Sequence, residues 1–373
     1  MKSFFYLLNT DISIQAYKPG LICLVTAFLV AIICMPPLLS LIKKFKLYDS
    51  PNNRKIHSDP IPTMGGIAII AGMITALVLW YPFTNDLIQV SFFLSVIVLF
   101  AMGIMDDLKD LSAKYKFIIQ IGLATLIALS GVRITSFNGI FGIEELPLFT
   151  QYTITVLAIV GITNAFNLID GIDGLAGGLA FMSLMVLGIF LTLSNENSSA
   201  LIAFALAGGT LAFLYFNFNP AKIFMGDTGS LVLGFIISIL CIRLMQANII
   251  AVNPILPHAP VFVFGIVLIP VFDAVRVFAL RIWKGESPFT PGKNHIHHLL
   301  TNAGFSHGAA AKLIYILHGF ILAEIYWLRQ VRQEIILALL VVFMIMITLV
   351  FKNIKVLMKK SGITSYRSLP ETD

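Results

Sequence analysis

The sequence predicts an all-α, polytopic integral membrane protein with about eleven transmembrane helices. Of its 373 residues, 58% are hydrophobic and only 12% are charged, and the mean hydropathy is +0.92. Soluble domains carry about 25% charged residues. Repeated apolar runs of about 18 or more residues have the length of a bilayer-spanning helix. The composition therefore excludes a soluble enzyme, and three cysteines within apolar runs indicate neither a disulfide framework nor a zinc site.

Eleven apolar segments follow one another, separated by polar or turn-forming residues such as Tyr81-Pro82 and Asn253-Pro254. The predicted spans are 21–42, 64–81, 88–105, 117–130, 151–167, 175–193, 200–216, 230–246, 259–280, 310–328 and 334–351. We predict one polytopic domain over residues 1–351 and a basic tail over 352–373. No cleavable signal peptide is evident, because the first residues lack a small-residue cleavage site.

The lysines and arginines indicate an orientation. If the N-terminus lies outside, most of the 25 basic residues fall in cytoplasmic segments, as the positive-inside rule requires. An odd number of spans then places the C-terminus in the cytoplasm. The same topology puts five unusual aspartates and a histidine cluster on the cytoplasmic side. Ionisable groups gathered at one face indicate an interfacial active site, whereas a transporter would place them near the bilayer middle.

Those five aspartates directly end or open apolar runs. They are Asp106, Asp107, Asp170, Asp173 and Asp227. Each acid next to hydrocarbon costs about 2.5–3.5 kcal/mol on insertion scales, and neighbouring acids resist joint ionisation. A divalent metal carrying a phosphorylated substrate would offset this cost.

The segment 164–176 repeats polar residues at helical spacing. Asn164 and Asn167 share a helical face, and Asp170 and Asp173 repeat the interval. Gly171 lets the backbone come close to a ligand. The segment predicts a helix end that offers amide and carboxylate oxygens to a hard cation. A capped turn is the alternative, but capping explains one such residue rather than four.

The segment 217–230 places Asp227 between Gly226 and a Thr-Gly-Ser sequence, just before a new helix. Thr228 or Ser230 would cap that helix, whose N-terminus favours an anion. Phe224 can stack on a flat ring, and Asn217 can hydrogen-bond a base edge. A capped loop is the alternative interpretation.

Asp106-Asp107 follows a span and precedes Lys114 and Lys116. The acidic pair can bind a metal or take a proton from a lipid phosphate, and the lysines can attract that phosphate. A solvated helix end accounts for Asp110 more easily than for the pair.

Three imidazoles occur within four residues at His295, His297 and His298. They can form a metal site or a phosphate cradle, and zinc is disfavoured because no cysteine is near. His307 and His318 are isolated, and we interpret both as structural.

Two further basic elements complete the candidate site. Arg276 follows Asp273 by three residues within a span and predicts an ion pair near the inner mouth. Lys55 and His57 precede the second span, where a basic segment can steer nucleotide phosphates. Gly66, which is part of a diglycine, allows close helix packing. A positive-inside loop also accounts for this basic segment.

These motifs resemble those of the polyprenyl-phosphate N-acetylhexosamine-1-phosphate transferases, the membrane family that includes the phospho-MurNAc-pentapeptide translocase. Residues 164–176 and 224–230, Asp106-Asp107 and the His-Ile-His-His segment carry the resemblance, which covers nearly all of 20–330. It implies transfer of a sugar-1-phosphate from a UDP-N-acetylhexosamine to undecaprenyl phosphate, with release of UMP. We expect direct attack by the lipid phosphate, with a covalent aspartyl-phosphate route as the alternative.

The resemblance also implies roles for individual residues. Asp227 would be the principal Mg²⁺ contact (Mn²⁺ is the alternative metal) with Asn167 a second. Asp106 and Asp107 would engage or deprotonate the lipid phosphate, and Asp170 and the three histidines would support the diphosphate and sugar. Asp173, Asn217 and Phe224 would hold the uridine. Lys55, His57, Lys116, Asn164 and Arg276 complete the predicted substrate-binding set.

The histidine segment favours the GlcNAc-1-phosphate branch, because the translocases carry three consecutive histidines and Ile296 interrupts that run here. The absence of an acid near Gly292 departs from this branch, and another UDP-N-acetylhexosamine is the alternative donor. The pentapeptide translocase and a secondary transporter are the competing functions. We expect membrane lipids but no nucleic acid as partners, an inner-membrane location and a cytoplasmic active site, and leave a homodimer open.

Overall fold

The structure, a computed structural model, describes residues 14–45, 61–84, 86–251, 254–287, 292 and 294–360. Within these ranges the chain is helical, apart from loops and one isolated β-bridge between Ser136 and Glu145. The predicted all-α fold is therefore confirmed.

Twelve α-helices and one short 3-10 turn, at Ile140–Gly142, occur in the described part of the chain. The α-helices are α1 (Ile14–Lys44), α2 (Gly66–Trp80), α3 (Leu87–Lys109), α4 (Ala113–Leu129), α5 (Leu148–Ile169), α6 (Leu175–Leu193), α7 (Asn197–Asn217), α8 (Asp227–Ile250), α9 (Ala259–Trp283), α10 (Ile296–Asn302), α11 (His307–Trp327) and α12 (Gln333–Lys360).

Every predicted span coincides with a long helix, and among the described residues nine helices are long and apolar enough to cross a membrane. The other two are α2, with 15 residues, and α4, with 17. At 1.5 Å per residue they extend for roughly 22–26 Å, less than the hydrocarbon thickness of about 30 Å. The structure supports a multi-span membrane protein, while eleven crossings and the orientation stay predictions.

Helix α8 occupies the centre of the bundle. It contacts α2, α3, α5, α6, α7 and α9. Within an apolar stretch of 18 residues of this helix, 94% of the residues are buried. A helix that is apolar on every side is stable only when neighbours surround it. Because α8 begins at Asp227, this carboxylate lies at the middle of one end of the bundle.

Two glycines bring neighbouring helices close to the start of α8. A Cβ atom at Gly66 of α2 would overlap the backbone of Gly229, and one at Gly103 of α3 would overlap the backbone of Thr228. Small residues permit such close backbone contacts between membrane helices. The predicted packing role of Gly66 is confirmed, and the contact at Gly103 brings the C-terminal end of α3 beside Asp227.

Candidate active site

Asp107 of α3 caps the N-terminus of α8. Its Oδ1 atom accepts a hydrogen bond from Asp227 N at 2.8 Å, and its Oδ2 atom accepts bonds from Thr228 N at 3.1 Å and from Thr228 Oγ1. A helix leaves the N–H groups of its first turn without intrahelical partners, and its dipole favours an anion there. Gly226, at φ 72°, leaves room for the carboxylate. Asp107 thus fixes the end of α3 to the start of α8.

The carboxylates of Asp106 and Asp227 share one cation, the ammonium group of Lys116 from α4. Lys116 Nζ lies 2.7 Å from Asp106 Oδ2 and 3.1 Å from Asp227 Oδ2. The two carboxylates also interact directly with each other. Like charges this close are stable only with a proton or a cation between them. The structure therefore brings together three predicted site residues from three helices around one charge-balanced centre.

Asn167, near the end of α5, joins the same centre. Its Nδ2 atom donates to Asp227 Oδ1 at 2.8 Å and to Ser230 Oγ at 2.9 Å. Asn164, one turn earlier, instead donates to Gln120 Oε1 on α4 at 2.6 Å. Only the second asparagine of the predicted pair therefore contacts Asp227.

Asp170 directly follows α5 and lies near three other carboxylates. Burial, followed by the charges of Asp227, Asp107 and Asp173, raises the pKa of its carboxyl group to about 7. Desolvation and like charges both disfavour ionisation. Asp170 is therefore poised between its neutral and ionised forms near neutral pH.

Asp173 is 1% exposed and is bonded within the protein. Its Oδ2 atom accepts from Asn219 Nδ2 at 3.0 Å and Ala221 N at 3.1 Å, and its Oδ1 atom lies 3.1 Å from His307 Nδ1. Burial raises the pKa of this carboxyl, but the bonds from His307, Asn219 and Ala221 outweigh burial and lower it to about 2. Asp173 thus stays ionised and links the loop after α5 to the loop after α7.

Both polar atoms of the Asn217 side chain form hydrogen bonds with the backbone. Its Oδ1 atom accepts from Gly174 N at 2.9 Å, and its Nδ2 atom donates to Ile223 O at 2.8 Å. The residue is buried. Asn217 and Asp173 therefore hold the same two loops together.

The histidine segment is anchored by Asp273 of α9. Asp273 Oδ2 lies 2.9 Å from His295 Nδ1, and Asp273 Oδ1 accepts from Ile296 N at 2.9 Å and pairs with Arg276 Nη2 at 2.7 Å. Arg276 also donates to Asn294 O. The predicted Asp273–Arg276 pair is present, and it serves to position the residues that begin α10.

His297 connects the histidine segment to the loop 170–174, called here the aspartate loop because it carries Asp170 and Asp173. It is 1% exposed, its ring lies 4.3 Å from that of His298, and neither of its nitrogens has a hydrogen-bond partner within the described protein. Burial, followed by the charge of His298, lowers its pKa to about 3. A Cβ atom at Gly171 would overlap the imidazole. The glycine therefore permits the close approach of a neutral ring to the loop that carries Asp170.

Phe224 lies three residues before Asp227 and is partly exposed. Its backbone forms hydrogen bonds with the segment that leads into α2. Phe224 N donates to Pro62 O at 2.8 Å, and Gly65 N donates to Phe224 O at 2.9 Å. Lys55 and His57 lie outside the described residues, so their predicted roles stay predictions.

Sequence reasoning missed three contributors to the site. The prediction that Thr228 or Ser230 caps α8 is wrong, because their hydroxyl groups donate to Asp107 Oδ2 and to Gly226 O. His307 was predicted to be structural, with no partner named. The predicted span 310–328 begins after His307, and nothing in the sequence pointed to Asp173, 134 residues away.

The oxygen ligands at the N-terminus of α8 suit Mg²⁺, which is bound partly by substrate and water, rather than a metal that is held entirely by protein. Among the described residues, no three histidine, cysteine or acidic side chains form a metal-binding group. Mg²⁺ typically takes one or two protein carboxylates together with substrate phosphates and water. Asp227 and the neighbouring Asp106 meet that requirement. Asn167 presents its N–H group to Asp227, and turning the amide over would present oxygen instead.

Comparison with known proteins places these motifs in one family. The sequence profile described as glycosyl transferase family 4 matches residues 89–245. A protein of Bacillus subtilis (strain 168), named a probable undecaprenyl-phosphate N-acetylglucosaminyl 1-phosphate transferase, is 33% identical over 81% of this chain and 83% of its own length. Undecaprenyl-phosphate alpha-N-acetylglucosaminyl 1-phosphate transferases of Yersinia pestis and Escherichia coli (strain K12) are 34% and 33% identical, each over 73% of this chain and 74% of its own length.

Proposed function

Because this chain belongs to glycosyl transferase family 4, we propose that it transfers N-acetylglucosamine-1-phosphate from its UDP derivative to undecaprenyl phosphate, with release of UMP. The names of the relatives support this acceptor and this sugar. The observation that carries the proposal is the convergence of Asp106, Lys116 and Asp227 at the head of α8. An anionic centre with one fixed cation suits phosphoryl transfer, which depends on positioning and charge neutralisation.

The reaction is a displacement at the phosphorus that carries the sugar. An oxygen of the lipid phosphate forms a bond to this phosphorus, the bridging P–O bond to the uridine phosphate breaks, and UMP leaves with the bridging oxygen. We assign the acceptance of a proton from the lipid phosphate to Asp106 Oδ2. Asp107 already caps α8 with both oxygens, whereas Asp106 is bonded to the backbone through Oδ1 alone. Lys116, bonded to Asp106, lies where it can neutralise the incoming phosphate.

Mg²⁺ held by Asp227, with Asn167 as a second contact, would stabilise charge on the diphosphate and on the departing UMP. Phe224 would stack on the uracil ring. The buried, neutral His297 would shape the sugar-diphosphate pocket by packing, and His295 would be oriented by Asp273.

We place this reaction at the cytoplasmic face of the inner membrane. The positive-inside distribution supports this orientation, and the contact of Gly226 with Asp107 supports a single active end of the bundle. A water-soluble UDP-sugar and a phosphate at the membrane surface can meet only at such an end.

The test is UMP release by the purified protein, given UDP-GlcNAc, undecaprenyl phosphate and Mg²⁺. Asp227→Asn should reduce turnover by about 10²–10³-fold, the usual cost of losing a group that stabilises transition-state charge. Asp110→Asn is the matched control, because Asp110 is an exposed acid in the left-handed conformation that asparagine tolerates.

Two outcomes would contradict the proposal. Full Mg²⁺-dependent activity of Asp227→Asn would remove this residue from the metal site. Uptake of the UDP-sugar into vesicles without UMP release would indicate a transporter. A panel of UDP-sugars, assayed in parallel, identifies the donor.

A further inference from the structure

His307 joins the aspartate loop from outside the motifs that define the family resemblance. It is the first residue of α11, and its Nδ1 atom lies 3.1 Å from Asp173 Oδ1. The side chains of His307 and Asp173 are 11% and 1% exposed. A contact this deeply buried between an imidazole and a carboxylate orients both groups, because few alternative partners can reach them.

Helix α11 holds the loop at a second point. Tyr315, eight residues and about two turns after His307, donates its hydroxyl proton to Gly174 O. Tyr315 also packs so closely on α6 that a Cβ atom at Gly178 would overlap its ring. One face of α11 therefore fixes Asp173 and Gly174, the last two residues of the loop 170–174.

The opposite end of this loop faces the proposed reaction centre. Asp170 lies near the charges of Asp227 and Asp107, and Gly171 lies against His297. Between Asp170 and Asp173 there are only two residues. A shift of the Asp173 carboxylate would therefore move Asp170 and Gly171, which the proposed function places beside the UDP-sugar.

We propose that His307 is a positioning residue for the donor site, which acts by holding Asp173 and thereby fixing the loop that carries Asp170 and Gly171. The inference rests on the proposed function, because it assigns this loop to the UDP-sugar. His307 itself need not touch the substrate. The donor of its hydrogen bond is the imidazole Nδ1–H, and the acceptor is the buried carboxylate.

Asp173 depends on several bonds to remain a buried anion. Asn219 and Ala221 supply two at Oδ2, and His307 supplies one at Oδ1. Removing one bond to a buried charge leaves the desolvation penalty less well compensated. Loss of this bond therefore favours rearrangement of the loop 170–174. The helix bundle should not rearrange, because apolar packing holds it together.

Three substitutions of His307 distinguish its chemistry from its volume. His307→Ala removes the donor. His307→Asn retains an N–H group near the position of Nδ1, whereas the longer amide of His307→Gln extends toward the position of Nε2. We expect the KM for UDP-GlcNAc to rise about tenfold in the alanine variant, the usual effect of one lost charge-assisted hydrogen bond. The KM for undecaprenyl phosphate should not change.

The asparagine variant should recover a donor KM close to that of the wild type, and the glutamine variant should not. Ser306→Ala is the matched control, because Ser306 Oγ accepts from Ala309 N and caps the same helix without touching Asp173. This variant should lower the melting temperature but leave the donor KM unchanged. An equal rise in donor KM in Ser306→Ala, or failure of asparagine to restore it, would overturn the positioning role.

A double-mutant cycle separates this inference from the proposed function. His307→Ala and Asp173→Asn should lower the melting temperature by less together than the sum of their separate effects, because they remove the same bond. Additive effects would show that the two side chains are not coupled. If the wild type releases no UMP from any UDP-sugar, the proposed function fails, and the cycle still decides whether His307 holds Asp173.

Discussion

His297 should make the protein more sensitive to mild acid, and replacing it should reduce that sensitivity. The imidazole is 1% exposed, and burial lowers its pKa from 6.5 to about 3. The unfolded chain therefore binds a proton below pH 6.5, whereas the folded protein does not until about pH 3. His297 thus contributes a stability that is present above pH 6.5 and is lost as the pH falls from there toward 3.

The size of this effect follows from the interval between the two pKa values. Between pH 7 and pH 5, preferential protonation of the unfolded chain lowers the free energy of unfolding by about 2 kcal/mol. For a chain of this length, that change corresponds to a fall in Tm of roughly 2–3 °C, if the unfolding entropy per residue equals that of soluble proteins. This loss of stability at low pH arises from one imidazole, whose nitrogens have no hydrogen-bond partner within the described protein.

The assay compares thermal unfolding of the wild type and His297→Gln in one detergent at pH 7 and pH 5. Glutamine does not titrate, so the fall in Tm between the two pH values should be smaller in the variant by about 2–3 °C. His258→Gln controls for the loss of a histidine elsewhere, because His258 lies at the N-terminus of α9. Equal pH dependence in the wild type and His297→Gln would refute the argument that His297 is neutral and buried.

Three substitutions test other contacts of the site. Gly171→Ala should reduce UMP release at least tenfold without preventing folding, because the new methyl group displaces His297 from the loop; wild-type kcat would contradict the close packing. Lys116→Gln should reduce turnover by about 10²-fold, because it removes the cation between two carboxylates; unchanged turnover at every Mg²⁺ concentration would show that this charge is dispensable. Phe224→Ala should weaken donor binding by about 1–3 kcal/mol if the ring stacks on uracil; an unaltered Kd for UDP-GlcNAc would remove that role.

The helices were largely predictable because their signal is local. The predicted span 175–193 coincides with α6, Leu175–Leu193, since an apolar run bounded by glycine and asparagine specifies its own limits. The predicted span 230–246 began three residues too late, because α8 starts at Asp227. The cap of α8 is Asp107, which lies 120 residues earlier in the chain. A helix that is capped from another helix gives no local signal of its first residue.

The composition of the site was predictable, but the division of labour among its acids was not. An acid at the end of an apolar run has the same sequence signature whether it faces a ligand or anchors a loop, because the difference lies in the N–H groups that the fold brings to it. Asp107, Asp173 and Asp273 accept bonds from the backbone N–H groups of Asp227, Ala221 and Ile296. Asp106 is held by the backbone through one oxygen only, because its Oδ1 atom accepts from Leu111 N at 2.7 Å. Its Oδ2 atom and that of Asp227 face each other across Lys116. A buried carboxylate whose bonds come from the fixed backbone cannot turn to a substrate without losing them, whereas a flexible lysine can move to a phosphate. We therefore infer that the first three acids set the geometry and that Asp106 and Asp227 exchange their shared cation for substrate and metal.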